Sequence, residues 1–318
     1  MKILCVLMSC LLFVMAGCSG HSKNLKFGAA DIGGVYYSFA STFTQLADKE
    51  IDGYTFETKT TAGSVANLRL ISDGYIDLAI VQADLLSDAY NATGTFADKK
   101  YQKGYKAVTS LYTECCQIVV RKDSGITGID DLINKTVSVG ASESGSEKNA
   151  EQILKMSGIT DELINKVNMD YTEAAEKLKA GEIDAFFCTA GTRTEVIGQL
   201  SKECDICLIS LDDKCIDKML SAYSLCEKYT IPAGTYNGQD SDVTTIGVKA
   251  VLIAKQSLSD DVIKNVTKTI YEHADDFKYA TSLDISFDIN TAADGVDIPF
   301  HSGAAAYYTE RGINVLTE

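Results

Sequence analysis

Ser72-Asp73-Gly74-Tyr75-Ile76-Asp77-Leu78-Ala79 and Lys179-Ala180-Gly181-Glu182-Ile183-Asp184-Ala185-Phe186 are two copies of one pattern. In each, a helical stretch stops at a glycine, which takes the left-handed C-cap conformation without a Cβ penalty. The chain then turns through Ile-Asp into an apolar run that reads as a buried strand. Helix–Gly–Asp–strand is common punctuation in α/β proteins. Its recurrence in both halves of the chain predicts two lobes of related architecture, the plan of a receptor that closes on its ligand by a hinge.

Outward from these turns, short β-rich runs alternate with helical ones. Strands are expected at Lys26–Ala29, Thr55–Thr58, Leu78–Val81, Gln117–Arg121, Thr136–Val139, Ala185–Cys188, Cys207–Ser210 and Ala250–Ala254. Helices are expected from about Tyr36 to Lys49, where Phe39, Phe43 and Leu46 share one face, and over Val65–Ser72, Ser146–Met156, Thr172–Lys179, Thr194–Lys202 and Asp260–Asp275. This alternation predicts an α/β fold with mostly parallel sheets. The apolar runs Gln117–Arg121 and Ala250–Ala254 are the candidate crossovers. They divide the chain into one lobe of about residues 24–115 plus 250–318 and a second of 116–249.

Three strand-to-helix loops are built from small residues: Asp31–Tyr37, Thr60–Asn67 and Gly140–Ser146. Glycine lets backbone approach a ligand closely, and the N-terminus of the following helix offers N–H groups and partial positive charge to an anion. Capping is the plainer role of each loop alone; Ser144 and Glu147 have capping-box spacing. Three such loops at sheet edges point to a binding crevice. Arg193 follows Cys188-Thr189-Ala190-Gly191-Thr192 at a strand's C-terminal end, where a guanidinium could grip a carboxylate through two hydrogen bonds.

The ends and the composition narrow the class. Met1-Lys2 precedes an apolar run from Ile3 to Ala16, shorter than the about 20 residues that span a bilayer. It ends in Ala16-Gly17-Cys18, which resembles a bacterial lipobox, so residues 1–17 are expected to be a lipoprotein signal and Cys18 to be lipidated, with 18–24 a tether. The net charge of −15, with no basic patch or zinc-finger spacing, argues against nucleic acid as a partner. Of ten cysteines, the seven beyond Cys18 are Cys115, Cys116, Cys188, Cys204, Cys207, Cys215 and Cys226, an odd and irregular set that reads as buried thiols rather than a disulfide framework. No P-loop, G-x-G-x-x-G, G-x-S-x-G or H-E-x-x-H occurs, and none of His21, His273 and His301 neighbours a nucleophile. No cofactor, metal or catalytic residue is expected.

Several pieces in order resemble the TAXI-type solute receptors of TRAP (tripartite ATP-independent periplasmic) transporters. They are Gly33–Tyr37, Thr60–Leu68, Ile76–Asp84, Ile118–Ile126, Val137–Gly140, Ile183–Phe187 with Ala190-Gly191, Thr230–Tyr236 and His301–Ala305. Departures from the family pattern fall at Asp31, Gln117, Arg193 and Ser302. The resemblance implies a two-lobed type II periplasmic-binding fold of α/β class with hinge crossover strands. It implies an extracytoplasmic, membrane-anchored protein that captures a small organic anion, an acidic amino acid or a dicarboxylate, for an integral membrane permease. The expected binding residues are Gly34, Tyr36, Tyr37, Thr61, Gly63, Ser64, Asn67, Gln82, Asp84, Ser144, Ser146, Ala190, Gly191, Arg193 and Tyr236. Other functions weighed are a sensory module signalling to a membrane partner and an exported hydrolase.

Overall fold

Residues 22–98, 101, 103–282 and 287–318 are described by the structure, a computed structural model. The expected signal and the Cys18 anchor lie outside the described residues. The first half begins β1 (Lys23–Gly28), α1 (Val35–Glu50), β2 (Tyr54–Lys59), α2 (Ser64–Ser72), β3 (Leu78–Gln82) and α3 (Ala83–Asn91). A long strand, β4 (Tyr105–Arg121), leads into β5 (Thr136–Ser138), α4 (Gly145–Met156), β6 (Asn165–Val167), α5 (Tyr171–Ala180), β7 (Ala185–Ala190) and α6 (Glu195–Glu203). Then come β8 (Ile206–Leu208), α7 (Asp213–Ala222), β9 (Cys226–Ile231) and a second long strand, β10 (Val243–Lys255). The chain ends with α8 (Asp260–Glu272), α9 (Ala274–Thr281) and α10 (Ser302–Thr309).

The strands form one sheet in the order β2-β1-β3-β10-β4-β7-β5-β6, with β8 on β4 and β9 on β10. The outer groups β2-β1-β3 and β7-β5-β6 are parallel, as βαβ connections require. The middle is antiparallel, which corrects the expectation of mostly parallel pairing. β10 runs against β3 and β4, and β4 runs against β7 and β8. The expected crossovers Gln117–Arg121 and Ala250–Ala254 are each one end of a longer strand. Residues 116–120 pair with β7, while 250–254 pair with β3 on the far side. Each long strand thus belongs to both halves, and they cross near the Gly247–Cys115 pair. A Cβ on Gly247 would stand 2.7 Å from Thr113 Cγ2, so this crossing is built on bare backbone.

The paired turns of the sequence are paired in space. Asp77 Oδ2 accepts from the Lys26 amide at 2.9 Å, and Asp184 Oδ2 accepts from the Thr136 amide at 2.8 Å. Asp77 thus ties its turn to the middle of β1, and Asp184 ties its turn to the start of β5. Gly74 and Gly181 both have positive φ, as their C-cap role demands.

Packing follows the apolar spacing. On α1, Phe39, Phe43 and Ala47 are fully buried, and Phe43 meets Phe27 and Phe56 edge-on at centroid distances of 5.5 and 5.4 Å. Each such ring contributes on the order of 2–3 kcal/mol by leaving water. The expected helix Asp260–Asp275 is two helices. His273 adopts φ −112°, ψ 28° between α8 and α9, and its ring bridges Glu50 Oε1 at 2.6 Å and Asp276 Oδ2 at 2.8 Å. The seven described cysteines are free thiols, with only Cys204 and Cys207 partly exposed. Among the described residues no helix is long and apolar enough to cross a membrane.

Candidate functional site

Two loops of one shape face each other across the gap between the halves. The loop before α1, Asp31-Ile32-Gly33-Gly34, closes with the Gly34 amide on the Asp31 carbonyl at 3.1 Å. The loop before α4, Ala141-Ser142-Glu143-Ser144, closes with the Ser144 amide on the Ala141 carbonyl, also at 3.1 Å. The third residue is left-handed in both, Gly33 at φ 93° and Glu143 at φ 66°. The loop before α2 is the third wall. Thr61 Oγ1 accepts from the Gly63 amide, and Gly63 has φ 119°, which only glycine adopts readily.

Together these loops enclose a space of about 30 Å³, room for about two waters. Gly34, Tyr36, Gly63, Ser64, Gln82, Ser144, Ser146 and Ala190 of the sequence-derived set line it. It is shut by contacts between the halves. Arg69 on α2 grips Glu143 through two hydrogen bonds, Nε to Oε1 at 3.1 Å and Nη2 to Oε2 at 2.6 Å. The Ala66 amide donates to the Glu143 carbonyl at 3.0 Å. The Gln82 amide lies so close to Gly145 that a Cβ there would stand 2.5–2.6 Å from its Cδ, Oε1 and Nε2.

The other expected residues stand outside the lining, for reasons of local structure. Asn67 is fully buried and ties strands together: its Nδ2 donates to Ala29 and Ile80 carbonyls at 2.7 and 2.9 Å, and its Oδ1 accepts from Thr61 at 2.8 Å. Thr61 therefore fixes the loop rather than facing the space. Tyr236 donates to Gln117 Oε1 at 2.5 Å and accepts from the Thr194 amide at 3.1 Å, anchoring the segment between β9 and β10. Gly191 caps that network through Thr194 Oγ1. Arg193 is exposed, in a left-handed turn at φ 67°, away from the lining. Tyr37 is half-buried on α1, one position past the lining residue Tyr36. Asp84 is buried beneath the site on α3, where burial raises its carboxyl to about 6.

Of the lining residues that escaped the sequence-derived set, those with polar side chains are Asp31, Glu114, Tyr171 and Thr189. Glu114 is 2% exposed and accepts from Tyr36 Oη at 2.8 Å. Burial pushes its carboxyl up to about 8, against the Tyr36 and Gln82 hydrogen bonds that lower it, with nearby Asp84 raising it further. Asp31 is raised to about 6, first by burial and then by the charge of Asp170. Tyr171 Oη donates to the Thr189 carbonyl at 2.9 Å and meets Ser146 Oγ at 2.5 Å, which in turn accepts from the Thr189 amide at 2.8 Å. The signal for Glu114 was present in the sequence: it is the one acid in the 17-residue run that forms β4.

No side chain caps α1 or α2, whose N-caps are Gly34 and Gly63. Their terminal N–H groups and partial positive charge are turned toward the space. At α4, Ser144 Oγ accepts from the Glu147 amide at 3.0 Å, so the expected capping role is real there. The site thus offers hydrogen-bonding groups from both halves around one small space. Among the described residues no cluster of three or more His, Cys, Asp or Glu could hold a metal ion.

Comparison with known structures bears on the fold. A methylphosphonate-bound PhnD1 from Prochlorococcus marinus superposes with a TM-score of 0.59 at 12% identity, over 85% of this chain and 94% of that one. An ATP-bound protein of Xanthomonas citri gives 0.53 at 11% identity over 92% and 99%. A protein of Bordetella bronchiseptica gives 0.53 at 17% identity over 82% and 76%. These likenesses show the two-lobed periplasmic-binding fold. A sequence model of the NMT1-like family matches residues 27–312, nearly every described residue, and the chain belongs to that family.

Proposed function

We propose that this protein is an extracytoplasmic solute-binding protein that closes on a small polar molecule and delivers it to a membrane transporter. The observation that carries the reading is the crevice walled by both halves and latched by Arg69–Glu143 contacts across it. A gap this small admits a solute only by opening, and a ligand that bridges both walls then stabilises the closed form. The halves that move are residues 24–115 with 250–318, and residues 116–249, hinged at the crossing of β4 and β10. The transporter is of the TRAP type and the chain is held to the membrane through Cys18; both follow from the sequence motifs. The uncapped starts of α1 and α2 can receive one anionic group, which supports a carboxylate-bearing solute. A doubly charged acid is disfavoured, because the lining carries two carboxyl groups, Asp31 and Glu114, and no cationic side chain.

The test is a thermal-shift screen of the mature protein against small acids, amines and amino acids. A true ligand at 100 times its dissociation constant adds about 2.7 kcal/mol of stability. Small-angle scattering of the same samples should show contraction only with compounds that shift the melt. A screen without any hit, alongside an unchanging scattering profile, would leave the solute-binding reading without support.

A further inference from the structure

Resting on that reading, the lining says what kind of group the solute carries. Glu114 is the sole acid of β4, is 2% exposed, and borders the space directly. A carboxyl in such a place is costly unless something uses it. The titratable and hydrogen-bonding groups that act on it or feel its charge are Tyr36 of α1, Gln82 of β3, Asp84 of α3, Tyr112 and Cys115 of β4, Tyr171 of α5 and Cys188 of β7, while β10 sets Val248 beside it. None of them is a cation. Asp31 brings a second carboxyl to the rim, and no Lys, Arg or His is among the lining residues. Gln82 is 1% exposed, and its Oε1 is buried with no hydrogen-bond partner. The space is therefore bordered by acceptors that lack a cationic donor.

We propose that the solute supplies that donor, a protonated amine held by Glu114, Asp31 and Gln82 Oε1. An ammonium has three N–H donors, and these are three acceptors. An ammonium brought against Glu114 favours the ionised carboxylate, opposing the effect of burial. Glu114 is held mostly protonated at pH 7 in the empty site, so amine binding at that pH releases most of a proton. An anionic solute does the reverse: it keeps Glu114 protonated as a donor and releases none.

The experiment is isothermal titration of the full-length mature protein at pH 7, in two buffers of different ionisation heat, with paired probes. L-alanine is paired with lactate, L-glutamate with 2-oxoglutarate, and putrescine with succinate. The expected result is binding of at least one amine, at least roughly 100-fold tighter than its amine-free partner, with proton release seen as a buffer-dependent heat. Glu114→Gln should weaken that amine roughly 30-fold and abolish the proton release. Asp31→Asn, at the half-exposed rim, should weaken it about 3- to 10-fold and serves where the buried substitution fails to fold. Amine-free acids binding as tightly as their partners, or proton uptake on binding, would overturn the amine while leaving solute capture standing. Binding by no probe in either set overturns both.

Discussion

The loops before α1 and α4 share a backbone and differ in what their side chains do. At the third position the α1 loop has Gly33 and the α4 loop has Glu143, both left-handed. At the N-cap the α1 loop has Gly34 and the α4 loop has Ser144, which caps its own helix. At the next position Val35 packs into the core, whereas Gly145 leaves room for the Gln82 amide from the other half. The first loop has no side chain at its last two positions, Gly33 and Gly34, and leaves its helix N-terminus uncapped. The second spends its side chains on closure: Glu143 reaches across to Arg69, and Ser144 satisfies the helix start itself. One turn shape is thus left uncapped in one half and spends its side chains on contacts in the other.

The largest test of that division is Gly145→Ala. A methyl group there meets Gln82 at about 2.5 Å only when the halves are together. Overpacking of this kind costs about 1–3 kcal/mol, charged to the closed form alone. Solute affinity should fall roughly ten- to a hundred-fold, with a melting temperature of the ligand-free protein that hardly moves. A matched loss of stability without loss of affinity would mean that Gly145 is needed inside its own half.

The paired aspartates sharpen the comparison at the level of the fold. Asp77→Ala and Asp184→Ala each leave a backbone amide of a parallel strand without its acceptor, at about 1–3 kcal/mol. Asp77 also holds Lys255 Nζ at 2.8 Å, tying the end of β10 to the same turn. Denaturant unfolding should therefore rank Asp77→Ala as the more damaging of the two. Smaller again is the cap exchange. Ser144→Ala should cost about 1 kcal/mol, while Gly34→Ser should gain a few tenths in stability. The serine at 34 then competes for the helix start that a solute needs, so its stabilisation should come with weaker binding.

The turns around Asp77 and Asp184, the small-residue loops and the Ser144 cap were legible in the sequence because each is a local rule obeyed locally. Glu114 stood out in the sequence only as the lone acid of an apolar run; its place in the site depends on β4 lying between β10 and β7, pairings set far along the chain. Arg193 failed in the opposite way. Its place after a strand suggested a ligand contact, but a left-handed turn points it to solvent. Thr61 and Asn67 were expected as ligand groups, whereas the carbonyls of Ala29, just past β1, and of Ile80 on β3 claim their hydrogen bonds first. The long central strands were seen only in part, since their alternation breaks where they pass from one half to the other.

The smallest expected effect is the most direct test of the loop comparison. Glu143→Gly makes the α4 loop like the α1 loop at its third position. It removes the two-pronged contact to Arg69, which is partly exposed on both sides and so worth about 0.2–1 kcal/mol. It also removes a left-handed non-glycine residue, a relief of roughly 1–2 kcal/mol, less about 0.4–1 kcal/mol for the freer unfolded chain. These nearly cancel, so the melting temperature should stay within a few degrees of the parent. Glu143→Ala loses the latch and keeps the strained backbone, and should melt lower than the glycine variant. Both substitutions remove the latch to Arg69 and should lessen the ligand-induced contraction in small-angle scattering to the same extent. If the alanine and glycine variants melt together, the left-handed residue in the α4 loop is tolerated without strain, and the glycine of the α1 loop is there for the solute rather than for the turn.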